Sequence, residues 1–122
     1  SRACALDDVN GKGSSDAFMV GTDRASSFRG WAVNGNNAAP ASMTLILKGV
    51  QMSYGLSAMT GRSRPDVAKV LNSPAAGSAG YEFEGDLKRV PAGTYQALVW
   101  VKDSAGDTLC DTGKLVIVEK TT

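Results

Sequence analysis

Apolar and polar residues alternate with a period of two along several short stretches of this chain, the spacing that sends successive side chains to opposite faces of a β-strand. The clearest stretch is Ser42 to Lys48, where Met43, Leu45 and Leu47 alternate with Thr44, Ile46 and Lys48. Ala17 to Val20 and Ser27 to Val33 read as earlier strands. In the second, Arg29, Trp31 and Val33 share one face and Phe28, Gly30 and Ala32 the other. Trp31 is expected in the core, and the small residues at 30 and 32 leave room for close packing above them. Gly49 turns the chain into a further alternating run, Val50 to Tyr54, and Tyr81-Glu82-Phe83-Glu84 alternates aromatic with acidic residues. A closing hairpin is predicted from Tyr95 to Val101, the polar loop Lys102 to Asp107, and Leu115 to Val118. A hairpin alone is marginal in water, so this pair needs the upstream strands to bury a face against. About seven such strands predict an all-β sandwich in one domain spanning residues 1–122.

Two stretches depart from the alternation. Residues 1–15 are polar and glycine-rich after Cys4 and read as an extended N-terminal arm with turns, preceding the first strand. Ala58 to Ser73 is the helical candidate: Pro65 suits a first turn, Asp66 the positive helix end, and Val67, Val70 and Leu71 fall at i, i+3 and i+4 before Asn72-Ser73-Pro74 stops the run. That length predicts a short crossover, not a layer.

Composition narrows the chemistry. With 43% hydrophobic and 20% charged residues in 122, the chain has the balance of a globular domain, and no apolar run approaches the roughly 18 residues of a membrane span. Thirteen basic and twelve acidic residues are scattered, which disfavours nucleic acid as a partner. Histidine is absent, removing Ser-His-Asp, Cys-His and His-zinc mechanisms together. No phosphate-cradling glycine motif and no S-x-x-K occurs, and no cofactor is expected. Asp8 to Gly13 imitates the start of a calcium loop, but Lys12 stands at its fifth position and Met19 where the bidentate Glu belongs. The pairs Glu82 and Glu84, Asp7 and Asp8, and Asp103 and Asp107 are what a carboxylate-based glycan hydrolase would draw on, although charge on a strand's outer face is also the ordinary solvated condition.

Two cysteines, Cys4 and Cys110, read as one disulfide in an oxidising compartment; two separate buried thiols, or a lipidated Cys4 that Arg2 fits poorly, are the alternatives. The chain opens on Ser1 without Met, which gives the expectation of a removed leader. Arg62, Arg64 and Asp66 gather at the helix entrance, where an anion is a candidate ligand, unless Arg64 pairs with an acid and fixes the loop. Asp103 and Asp107 mark a second candidate binding loop. Trp100 shares a strand face with Gln96, Leu98 and Lys102; with Tyr54 or Tyr81 it would offer a stacking surface to a glycan or protein partner, if that face is not core.

Asp86 to Tyr95, with Leu87, the Pro91-Ala92-Gly93 turn and Thr94-Tyr95 opening a long strand, resembles the strand E to strand F corner of fibronectin type III and other immunoglobulin-like domains. The resemblance implies that the Tyr95 hydroxyl bonds back to upstream backbone as a tyrosine corner. Together with Gly30-Trp31-Ala32-Val33 and Arg64-Pro65-Asp66-Val67-Ala68, it is similar to a bacterial immunoglobulin-like module met as a stand-alone exported protein or appended to cell-envelope proteins. That likeness implies fold and compartment: periplasm, cell surface or secreted. The usual cysteines on strands B and F are missing. The function expected is a non-catalytic binding or interaction module, acting as a monomer. The alternatives are the glycan hydrolase and an accessory subunit pairing through the edge of its final strand, Lys114 to Glu119.

Overall fold

The computed structural model describes residues 3–104 and 106–120; Ser1 and Arg2 of the leader and lipidation readings, and Ala105 of the last loop, lie outside the described residues. The chain forms β1 (Cys4–Val9), β2 (Ala17–Gly21), β3 (Ser26–Ala32), β4 (Ser42–Lys48), β5 (Ser53–Ser57), β6 (Met59–Arg62), α1 (Pro65–Val70), a 3-10 turn (Pro74–Ala76), β7 (Gly80–Gly85), β8 (Gly93–Lys102) and β9 (Thr108–Glu119). Two sheets result, one of four strands in the order β1-β3-β7-β6 and one of five in the order β2-β9-β8-β4-β5. Neighbours run antiparallel except β2 and β9, which are parallel. The expected all-β sandwich with one short helix is therefore the observed architecture.

Alternation sets which side of each strand goes inside. Met43, Leu45 and Leu47 of β4, Ala97, Val99 and Val101 of β8, and Val116 and Val118 of β9 face Phe28, Ala32 and Tyr81 of the other sheet in one continuous core. Gly30 is required there. A Cβ at that position would run into the Ala5 carbonyl and lie 2.6 Å from the Tyr81 hydroxyl; its absence lets Tyr81 cross β3 and donate to the Ala5 carbonyl at 2.9 Å. Both flanks of the sandwich are closed by chain that changes sheets. The single residue Ala58 carries β5 into β6, and the Val9 to Lys12 turn leads β1 of one sheet toward β2 of the other. At one end, α1 lays Val67 on a second cluster with Val33, Ala76 and Ala79.

Five expectations are corrected. Nine strands replace seven, because Cys4–Val9 is a strand paired with β3 and not part of a free arm, and Met59–Arg62 is a strand and not the start of a helix. The β1 alternation was masked by a bulge: the register slips between Leu6 and Asp8, so Leu6 and Val9 both point inward across Asp7-Asp8. The helix occupies Pro65–Val70 only, and Val70 is 82% exposed, since six residues expose all but one stripe. Val50 to Met52 forms a turn closed by the Gly49 N–H on the Met52 carbonyl, and the strand begins at Ser53. Trp31 lies half-buried against the second cluster, on the side of β3 away from the main core.

The final strand is not a free edge along Leu115 to Glu119, where β2 pairs with it residue for residue from Ala17 to Gly21. Edge pairing along that segment is thereby removed, because its outward N–H and C=O groups already have partners. Cys4 and Cys110 form a disulfide that ties β1 of one sheet to β9 of the other across 106 residues of sequence. The bond commits the Cys4 thiol, which sets aside both free thiols and lipidation.

Cross-linking so long a loop lowers the entropy of the unfolded chain, and removing it costs about 2 to 5 kcal/mol. Cys4→Ser with Cys110→Ser is expected to lose that much in urea unfolding relative to the oxidised chain; a loss under about 1 kcal/mol would contradict this role.

Candidate interaction surface

The outer face of the five-stranded sheet breaks the usual inside-apolar, outside-polar rule for a solvated sheet. Its outward positions include Leu98 and Trp100 on β8, Leu109, Leu115 and Ile117 on β9, Ile46 on β4 and Met19 on β2. Trp100 is 38% exposed, Leu109 61% and Met19 63%. Leu98 belongs to this face, outside the core cluster, yet is only 6% exposed, covered by its neighbours there. Trp100 sits directly opposite Thr44 on one side and Leu109 on the other, and the Lys102 ammonium lies 5.8 Å from its ring centre. The register that puts Leu109 beside Trp100 is reset further along by a bulge at Thr112-Gly113, where Gly113 takes φ 77° and the buried Thr112 hydroxyl donates to the Ala97 carbonyl at 2.6 Å.

The aromatic platform expected from Trp100 with Tyr54 or Tyr81 does not assemble. Tyr81 is buried, with its hydroxyl pKa raised chiefly by burial. Tyr54 packs edge-on against Tyr95, ring centres 5.9 Å apart, at the opposite end of the molecule's long strands. Tyr95 donates to the Pro91 carbonyl at 2.6 Å, a bond back to backbone four residues upstream.

The charged loop candidates serve one another. Arg64 gives Nε and Nη2 to the two Asp66 oxygens at 3.0 and 2.9 Å, and Nη1 to Asp7 of β1 at 2.9 Å. The Asp66 hydrogen bonds, more than any other cause, hold the guanidinium above its ordinary pKa, and Arg64 in turn holds the Asp66 carboxyl below its own. Arg62 reaches Glu82 at 3.3 Å, and Glu82 also meets Arg29 at 3.1 Å. A cleft of about 330 Å³ beside Tyr81 is lined by these side chains, but its cations already face acids. Asp103 accepts from the Asn34 amide at 3.1 Å and from the Ala41 backbone at 3.3 Å, while Asp107 is exposed. The two loops are not brought together into one site. Asp103 is tied instead to the β3–β4 connection, and the Arg62 to Asp66 segment to β1 and β7 through Asp7 and Glu82.

The carboxylate pairs are likewise dispersed into structure. Asp8 accepts the Gly11 N–H at 2.9 Å and shapes the Asn10-Gly11 turn, Asp7 belongs to Arg64, and Glu82 is held by two arginines while Glu84 is exposed. Among the described residues no group of three or more His, Cys, Asp or Glu could hold a metal ion. Sequence reasoning raised the Trp100 face without deciding whether it is solvent or core, and missed Leu109, Leu115 and Met19, which the β8–β9 register and the parallel β2 bring to it.

Asp66 ionises more easily in the folded chain, so its contribution is present above the unfolded carboxyl pKa of about 4 and is lost as pH falls through the folded value. Arg64→Met is expected to cost about 0.5 to 1 kcal/mol near neutrality, since the carboxylates it meets are largely exposed, and to flatten the acid limb of the stability curve below about pH 4. An unchanged acid limb would contradict the pairing. By contrast Leu109→Ser, 61% exposed, should leave stability within about 0.5 kcal/mol, whereas Tyr95→Phe should lose about 1 kcal/mol with its hydrogen bond. Equal losses for the two in urea unfolding would show that the outer face is structural.

No family model matches the chain, and no curated protein matches it. Among solved structures it is similar to the X-ray structure of the endo-β-1,4-mannanase from Thermotoga petrophila, with a TM-score of 0.55 and 11% identity, over 99% of this chain and 20% of that one. The likeness is one of fold, and the chain spans about a fifth of the mannanase's length.

Proposed function

We propose that this chain is a non-catalytic interaction module, immunoglobulin-like in connectivity and exported from the cell, which meets its partner through the outer face of the five-stranded sheet. The observation that carries the reading is the apolar stripe of Trp100, Leu109, Leu115 and Met19, exposed where a solvated sheet presents polar side chains. An exposed apolar stripe of this kind is the ordinary mark of a surface that a partner covers.

Immunoglobulin-like connectivity is supported by strand order. Lettered along the chain as A, A′, B, C, C′, D, E, F and G, the sheets become A-B-E-D and A′-G-F-C-C′, the arrangement of immunoglobulin domains with an extra strand beside C. The Tyr95 to Pro91 bond sits at the E–F corner where the tyrosine corner belongs. The disulfide joins A to G instead of B to F. Export is supported by the disulfide itself, which persists in oxidising compartments, and among the described residues no helix is long and apolar enough to cross a membrane. The mannanase's own activity offers slight support for a glycan-hydrolysing role, against which stands the engagement of Glu82 by Arg29 and Arg62.

A photo-activatable residue placed at position 109, and in a second variant at position 84 on the other sheet, tests the reading in the cells that make the protein. Adducts are expected from 109 and not from 84. Equal yields from the two positions, or adducts from 84 alone, would overturn the assignment of the face.

A further inference from the structure

We propose that the partner on this face is a second copy of the chain, paired about a two-fold axis that crosses the strands between Trp100 and Leu109; the inference rests on the reading of the face given above. The register supplies the argument. Trp100 and Leu109 stand directly opposite each other in the antiparallel β8–β9 ladder, both outward. Lys102 lies two residues beyond Trp100 and Asp111 two residues beyond Leu109, so both share the outer face and stand on opposite sides of that pair. A two-fold axis lying in the contact plane and running through the pair, across the strands, exchanges those two sides. It brings Lys102 of each copy to Asp111 of the other, while Trp100 and Leu109, lying on the axis, meet their own counterparts.

Charge fits this operation and no simple alternative on the same patch. Among the described residues neither Lys102 nor Asp111 has an ion-pair partner: Lys102 rests near the Trp100 ring, and Asp111 accepts the Gly113 N–H at 2.8 Å through one oxygen, leaving the other open. One unpaired cation and one unpaired anion flank an apolar centre at equal offsets, which makes the patch complementary to itself under this two-fold operation. Pairing instead edge to edge along β9, with Leu109 opposite its own copy, would set Asp107 against Asp111. Such a dimer, where the expectation from sequence is a monomer, packs its two sheets face to face, an arrangement in which strand directions differ by about 30°.

Sedimentation velocity on the full chain, from about 1 µM to about 1 mM, is expected to show a monomer–dimer shift. Lys102→Glu and Asp111→Lys should each weaken the dimer at least about tenfold, because each sets two like-charged contacts across the axis. An equimolar mixture of the two variants should dimerise again, since every cross-copy contact is then between opposite charges. A native chain monomeric at the highest concentration, or a mixture that fails to associate while the native chain does, overturns the self-pairing. In the first case cross-links from position 109 to a different protein would still uphold the face as a contact surface, so the two failures are separable.

Discussion

A strand has two sides, and a pair of facing sheets hides only one side of each. Nearly everything about this molecule follows from how the chain assigns residues to the hidden side. Phe28, Leu45, Leu47, Tyr81, Val99 and Val116 fill it. Gly30 thins β3 so that Tyr81 fits and ties three strands through one hydroxyl. The disulfide then fastens the first strand to the last, adding a covalent tie between the two packed sheets.

What remains outside differs between the two sheets. The four-stranded sheet carries Arg29, Arg62 and Glu82, with Arg64, Asp66 and Asp7 beside them, charges that satisfy one another. The five-stranded sheet exposes Met19, Trp100, Leu109 and Leu115 instead. Polar groups that answer each other within the fold make an inert surface, whereas a contiguous apolar face with its charges unpaired at the margins is incomplete. The contrast locates the contact surface better than any cleft does.

The sequence made the strongly alternating strands legible. In Ser42 to Lys48 parity alone separates Met43, Leu45 and Leu47 from the rest, and the structure buries those three. Parity failed where the backbone broke it. In β1 a bulge spoils the alternation of a segment already rich in Asp, and in β9 Thr112-Gly113 adds residues that have no counterpart on β8. The Arg64–Asp66 pair was visible at a spacing of two, but Asp7 joins it from 57 residues away. Residues Ala97 to Val101 of β8 are apolar on both sides, so the pattern could not say whether Trp100 faces in or out; only its opposition to Thr44 and Leu109 decides that.

Everything functional therefore hangs on the register that turns Trp100 and Leu109 outward and Val99 and Leu45 inward. Hydroxyl-radical footprinting of the dilute protein, read by mass spectrometry, measures that division directly. The account predicts strong labelling of Met19, Trp100, Leu109 and Leu115 and protection of Leu45, Tyr81, Val99 and Val116. Labelling of Val99 and Leu45 with protection of Trp100 and Leu109 would mean the strands are turned the other way, and would contradict it.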